Sequence, residues 1–566
     1  MSETLAPNPT NLLSLLERAA ATDKGLSFGT PKGFERRSYS DLLRGLPALA
    51  ASLLTVTGRP AGLPVLLVMS NSEPLVSALF AAQWAGLIPA IIAPLRPFGD
   101  AEDWAQKLEA VSQRADGAPI IAPRQALRGL SATAAGRELP TYAWEDIIST
   151  AMTTAPAPCA HVGPETIALL QFTSGSLSHP KGVMLSHGAV TTNAIDTQHR
   201  MAVTPEDRFA FWVPLVHDMA VMSLMTGVAA GVEQWIMPTE FFAMDPLGWL
   251  RLMATEHINF SSGPPFAFEM VRRRAARTGE TFDLTALRGV VCGAEPIDAS
   301  ILRRFSDAFT DGRQIFLPSF GLAEMCCAAT MGGTLDSLAT AFVLPPLRLG
   351  AAVPFCAPDA PGAVEITGNG PLLATTRLRV IGDNGAELTE GFMGRVQLHG
   401  ASMMDGYWRD AEATAEVFED DADGVRWLRT GDLGFTHGGH IYIAGREKDV
   451  IIIRGRHFFP EELDALIQTI TGVRHRGVLT FGEADPSGRG EIVTAVLETD
   501  DILNTDLHAE LTRAVKTVVA DRLDLTVDRV VFTLKGSLPR TTSGKPRRGV
   551  ARTRWGHRAT PEGDTP

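Results

Sequence analysis

The sequence predicts an α/β fold: a large N-terminal domain of layered α/β sheets with a small β-rich subdomain, followed by a mobile α+β C-terminal lid domain. Three observations carry this reading. Residues 64–94, "PVLLVMSNSEPLVSALFAAQWAGLIPAIIAP", alternate a short apolar run, a helix-like stretch and a second apolar run, the pattern of a β-α-β unit. The runs "APIIAP", "FAFWVPLVH", "VEQWIMP", "HINFSSGPP" and "LRGVVCGAEP" repeat the theme, each ending at Gly, Pro or a polar residue. From about Pro361 the character changes to short β-rich runs with turns such as Asp383-Asn384-Gly385.

The elements follow in order. Parallel α/β layers bind ligands at the carboxyl ends of their strands, so chemistry is expected just after the apolar runs. The stretch 219–232 is uncharged and bounded by Asp218 and Glu233. It falls short of the ~20 residues that span a bilayer, so it is expected as a buried core helix and no membrane span is expected. After "HIYIAGREKDVIII" come a helix candidate at 460–469, a strand, a helix at 506–523, a strand at 529–534 and a basic tail. This divides the chain into 1–447, with the β-rich subdomain at roughly 361–445, and a lid at 448–566.

Composition excludes several functions. With 51 basic against 64 acidic residues the net charge is −13, the wrong sign for a nucleic-acid surface. The N-terminal residues lack a basic leader, which predicts a cytoplasmic protein. The five cysteines show no CxxC spacing and predict reduced thiols rather than a zinc site or disulfide framework.

The stretch at 169–190, "LLQFTSGSLSHPKGVMLSHGAV", places Thr173, Ser174, Gly175, Ser176 and Lys181 in a loop between an apolar run and a helix-like one. Backbone N–H groups and hydroxyls in such a loop suit phosphate oxygens, with Lys181 as a mobile cation. A Walker loop has Gly before its Lys and Ser or Thr after it; here Pro180 precedes and Gly182 follows, which disfavours a P-loop enzyme.

Other stretches occur in one order with this loop: "VHDMA", "GAEP", "PSFGLAE", "RTGDLGF", "GREKDVIIIRGRHFFPEEL" and "LPRTTSGK". Together the set resembles the adenylate-forming superfamily of acyl-CoA ligases, peptide-synthetase adenylation domains and luciferases, from the first residues to Arg548. The triplet at 217–219, "GAEP" and "RGRHFFPEEL" are most similar to the fatty acyl-AMP ligases, as is the long interval between Glu324 and Gly368. In those ligases the extra segment hinders the rotation that admits CoA. Two positions depart from their pattern: Ala220, where Gly is usual, and Pro546 after the Lys.

The resemblance implies attack of a carboxylate on the α-phosphorus of ATP, then thiol attack on the mixed anhydride. Thr173, Ser174, Gly175, Ser176 and Lys181 would hold the β- and γ-phosphates. Glu324 would bind Mg²⁺, a hard-oxygen ligand for that ion; Ala323 before it stands where many relatives have Thr. Phe320 and Gly321 would border the adenine, with the backbone of Gly293, Ala294 and Glu295 on its other side. Asp432 is similar to the ribose ligand and Arg446, fourteen residues on, would assist it. Lys545 would be the catalytic lysine, donating to the carboxylate oxygen and α-phosphate as charge builds in the transition state. His217 is expected at the mouth of the acyl pocket, with Met219, Trp235 and Phe266 as walls. Asp218 is also compatible with pairing an α-amino group, as in amino-acid-activating relatives, but the triplet favours the acyl-AMP ligases. Lys448 falls at the hinge and Gly455 would let a pantetheine arm pass close to backbone, where a Cβ would intrude.

The implied acceptor is an acyl carrier protein acting in trans, because the chain runs only 21 residues past Lys545. Arg474, Arg476, Arg547 and Arg548 are the expected docking patch for that acidic partner. An acyl-CoA ligase and a non-catalytic nucleotide- or acyl-binding relative remain the alternatives.

Overall fold

The computed structural model describes residues 9–95, 99–172, 180–334, 336–453, 456–474, 476–485, 491–540 and 546–557, without the side chain of His457. Thr173, Ser174, Gly175, Ser176, Gly455 and Lys545 lie outside the described residues.

The β-α-β unit forms as its sequence dictates. Strands Pro64–Val68 and Ile88–Ile92 pair parallel, joined by helix Glu73–Trp84, whose N-cap Ser72 accepts from Leu75 N. Strands Ile120–Ala122 and Thr141–Ala143 extend this sheet in parallel. The larger sheet has eight strands. Its members from Phe316–Gly321 through Gly289–Cys292, Phe260–Gly263, Arg208–Phe211 and Glu233–Ile236 to Gly25–Thr30 are parallel. Ala328–Met331 and Gly33–Ser38 close its two edges antiparallel. Helix Asp218–Ala230 lies across this sheet and ends at Gly231, whose φ of +63° only glycine adopts without strain. It is the buried helix expected for the uncharged stretch, and no described helix is long and apolar enough to cross a membrane.

One local expectation is corrected. The Gly/Ser/Thr loop does not run from strand to helix; strands Ile167–Phe172 and Gly182–Ser186 on its two sides pair antiparallel. The helix starts only at His187, because Ser186 takes the N-cap and its hydroxyl accepts from Ala189 N. The short strand Gly406–Tyr407 adds to the same hairpin, Tyr407 opposite Val183.

The β-rich region is an antiparallel sheet of Thr376–Ile381, Gly394–Gly400, Phe418–Asp420, Arg426–His437 and His440–Arg446. Strand Val364–Thr367 stays out of it and pairs instead with Thr340–Val343. Between those two strands Leu347 and Val353 bury against Met393, Leu433, Phe435 and Tyr442. Phe459, at the start of helix Pro460–Gln468, is fully buried in the same cluster. Beyond it the chain forms a three-stranded sheet covered by helix Thr505–Leu523, with Leu463 and Ile467 packed against Val515 and Val519.

Candidate active site

A cavity of about 2080 Å³ opens at the carboxyl ends of the large parallel sheet, beneath the C-terminal helices. It is larger than the ~300–1,000 Å³ of an ordinary small-molecule pocket, so it has room for a nucleotide and a second group. His217, Met219, Phe266, Gly293, Ala294, Glu295, Phe320, Gly321, Glu324, Asp432, Arg446 and Lys448 all border it. Trp235 does not. Strand alternation explains this: Gln234 reaches helix Asp218–Ala230 through the Leu224 carbonyl, so its neighbour Trp235 turns to the opposite face of the sheet, where Arg208 lies 5.9 Å from its ring.

Backbone constraints shape one wall. A Cβ on Gly321 would come within 1.6 Å of the Cys327 carbonyl oxygen, so the turn after strand Phe316–Gly321 admits only glycine. Ala294 holds a φ of +67°, which carries the chain sharply away from the end of strand Gly289–Cys292. Glu324 follows in a single 3₁₀ turn, Ala323–Met325, its carbonyl accepting from Met404 N at 2.9 Å.

The Glu324 carboxylate accepts a hydrogen bond from the Tyr407 hydroxyl at 2.8 Å. Lys181 Nζ stands 4.9 Å from the centre of the Tyr407 ring. One buried tyrosine therefore joins the loop lysine to the carboxylate. Burial, and then the charge of Glu324, push the Tyr407 phenol well above its ordinary range, which keeps it a donor. Among the described residues no three His, Cys, Asp or Glu side chains cluster as a metal site. A lone carboxylate fits Mg²⁺, which takes one or two protein carboxylates and completes its shell with phosphate and water.

Asp432 and Arg446 face each other across the 426–446 hairpin, in register, with Arg446 Nε 2.9 Å from the buried carboxylate. Thr430 Oγ1 accepts from the Asp432 backbone N–H at 3.0 Å and donates to the Val396 carbonyl, which pins the aspartate. His217 stands at the N-cap of helix Asp218–Ala230, its carbonyl accepting from Ala220 N and Val221 N.

The Glu295 side chain is spent on the C-terminal unit. It accepts from Phe266 N at 2.9 Å and from both terminal nitrogens of Arg476, at 2.9 and 2.5 Å. Nothing in the spacing of "GAEP" signals this arginine, 181 residues away. The expected docking patch is corrected by the same contacts. Arg476 is held by the buried Glu295 and Arg548 is buried against Asp464 and Glu461, whereas Arg474 pairs at the surface with the exposed Asp500, so Arg474 and Arg547 of the four stay available to a partner.

An AMP-binding enzyme family model matches residues 16–408. The chain belongs to this family. A Caulobacter vibrioides protein whose name places it provisionally among acyl-CoA synthetases is 31% identical over 558 residues, covering 96% of this chain and 95% of that one. The long-chain-fatty-acid–AMP ligase FadD26 of Mycobacterium tuberculosis is 32% identical over 413 residues, 69% of each chain. A solved structure from work on fatty acyl-adenylate ligases of E. coli and L. pneumophila superposes with a TM-score of 0.85 at 27% identity, covering 96% of this chain and 97% of that one. The chain is an adenylate-forming ligase that activates acids to acyl-AMP at the expense of ATP. In this AMP-binding enzyme the cavity gathers most of the residues the sequence nominated, and Tyr407 and Arg476 join them only through tertiary contacts.

Proposed function

We propose that this ligase loads a fatty or related carboxylic acid onto the phosphopantetheine thiol of a separate acyl carrier protein, in the cytoplasm, of the kind that supplies polyketide, nonribosomal-peptide or lipid assembly. A carboxylate oxygen attacks the α-phosphorus of ATP and the bond to pyrophosphate breaks. The carrier thiolate then attacks the acyl carbon and AMP leaves. Both steps need alignment and charge neutralisation more than proton transfer.

Lys181 and the loop residues Thr173, Ser174, Gly175 and Ser176 hold the outgoing pyrophosphate. Glu324, oriented by Tyr407, is the ligand for Mg²⁺, which supplies charge neutralisation at the phosphates. Phe320, Gly321 and the 293–295 backbone border the adenine, while Asp432 accepts from the ribose hydroxyls beside Arg446. His217 stands by the reacting carboxyl group, and Met219 and Phe266 line the acyl chain. Lys545 comes from the lid, 448–566, which pivots at Lys448 against 1–447 and then presents Gly455 to the pantetheine arm.

The observation that carries the choice of acceptor is the segment between strands Thr340–Val343 and Val364–Thr367. Leu347 is buried in the β-rich core while its N–H donates to Glu462 on helix Pro460–Gln468, a tie that lid rotation must break and that favours an acceptor whose own protein surface can hold the rotated lid over free CoA.

The test is mass spectrometry of products from ATP, Mg²⁺, CoA and a panel of short, medium and long acids. Acyl-AMP without acyl-CoA is expected, and Lys545→Ala should abolish it while ATP still binds. Acyl-CoA among the products would overturn the acceptor in favour of the activity that the Caulobacter relative's name carries.

A further inference from the structure

Helix Pro265–Thr278 leads out from the cavity and carries an exposed face that adenylation does not use. Its positions 266, 270, 273 and 277 fall at i, i+4, i+7 and i+11 and so share one side, with Arg274 at the edge. Phe266, at the start, borders the cavity, and the guanidinium carbon of Arg476 from the C-terminal unit lies 5.8 Å from the centre of its ring. The face therefore begins where the two units meet. One turn further out Met270 is 41% exposed, and beyond it Arg273, Arg274 and Arg277 are exposed as well.

The charge of this face runs against that of the molecule. Glu269, buried at its margin, accepts from Arg272 and Arg273, and Arg304 of the next helix, Ala299–Phe309, stands 3.7 Å away. The hydrogen bonds from Arg272 and Arg273 outweigh burial and hold the Glu269 carboxyl at about 2, so it stays charged. It fixes these arginines without cancelling them. Among the described residues Arg274 and Arg277 meet no carboxylate, which leaves five guanidinium groups against one carboxylate on a chain whose net charge is −13. An exposed methionine enclosed by arginines has the anatomy of an interface, where Met and Arg are both enriched and a polar rim surrounds an apolar centre.

We propose that this face docks the acyl carrier protein, with Met270 against an apolar residue of an acidic carrier helix whose carboxylates pair with Arg273, Arg274, Arg277 and Arg304. This rests on the carrier-loading reading of the site. Arg474 and Arg547 lie on the lid, which pivots between the two steps, whereas helix Pro265–Thr278 belongs to the unit that stays. A carrier held there keeps its place while the lid turns. Met270 is four residues along the helix from Phe266 at the cavity wall, about 6 Å at 1.5 Å per residue, so the docked carrier stands close to the site. Opposed charges raise the rate of encounter and set the orientation of docking.

The test measures three rates with the full-length protein: formation of acyl-AMP, transfer to a panel of acidic holo-acyl carrier proteins, and transfer to free pantetheine, which has the thiol without the protein. The double variant Arg274→Glu, Arg277→Glu breaks no ion pair among the described residues, so its Tm and its adenylation are expected to match the parent. Its KM for the carrier is expected to rise by about tenfold or more, with transfer to pantetheine unchanged. Added salt should weaken transfer to the carrier in the parent and much less in the variant. Met270→Ala should raise the same KM and leave the salt dependence as it is. A carrier KM that neither variant moves overturns the docking, and so does an equal loss with pantetheine, which would put the effect on the chemistry. An unmoved KM with binding to phosphatidylglycerol vesicles lost in the double variant would give the face to a membrane and overturn it too. If the parent forms acyl-AMP yet passes it to none of the carriers, the carrier-loading reading falls and the inference with it.

Discussion

Tyr407 shows how a site residue acts through its neighbours. Its hydroxyl occupies one oxygen of Glu324 and its ring backs Lys181, so it holds both charged groups without meeting the acid. Tyr407→Phe removes a hydrogen bond to a charged acceptor, worth about 1.5–3 kcal/mol. The expected result is a rise of tenfold or more in the Mg²⁺ and ATP concentrations needed for half-maximal adenylation, with KM for the acid unmoved; titration of each separately checks it. The sequence concealed this residue because Glu324 lies 83 positions away and the pairing of Gly406–Tyr407 with Gly182–Ser186 brings it near. Asp432 and Arg446 were legible because a hairpin between them is a local event whose register puts them opposite. Trp235 was misassigned for a related reason: period-2 alternation tells which residues share a face, and only packing tells which face meets the cavity.

At the scale of elements, helix Pro460–Gln468 was readable from its proline start and apolar spacing, but its charges were not. Burial raises the Glu462 carboxyl to about 8, and among the described residues its Oε2 has no hydrogen-bond partner while Oε1 accepts from Leu347 N at 3.3 Å. Glu461 and Asp464 beside it are also pushed up by burial, with Arg548 opposing. Because the folded pKa of Glu462 lies above the ordinary 4.5, the folded protein keeps a proton that the unfolded chain releases. Its contribution is full below about pH 4.5 and is lost as pH rises to about 8, a change on the order of a few kcal/mol. Glu462→Gln stays neutral throughout, so its Tm should fall less than the parent's across that window, and calorimetry over the pH series reads the difference. Identical pH profiles would mean that the carboxylate is charged in the fold.

Across the whole molecule, the pair Arg476–Glu295 ties the small C-terminal unit to the 293–295 wall of the cavity. Glu295 is almost fully buried, so Arg476→Ala takes away its ion-pair partner and leaves it the Phe266 N–H and the more distant charge of Arg540. Losing one partner of such a pair costs about 3–5 kcal/mol when both are buried, and less here because Arg476 is a quarter exposed. A drop of several degrees in Tm is expected, with faster hydrogen exchange in 460–480. The double variant Arg476→Met, Glu295→Gln should recover most of the loss; no recovery would show that the two side chains are not coupled in solution.

Sequence alone determined the α/β layering, a buried helix within 219–232, the order of the motifs and, through resemblance, the family they belong to. Those features rest on periodicity and on residues close in the chain, where local geometry leaves few choices. Tertiary structure alone decided that two paired strands, and not a strand and a helix, flank the Gly/Ser/Thr stretch, and that two of the four arginines expected as a docking patch, Arg476 and Arg548, are held within the fold. Each of these depends on partners brought together by sheet order and domain packing, and a side chain's partner, more than its identity, sets whether it binds, braces or stays solvated.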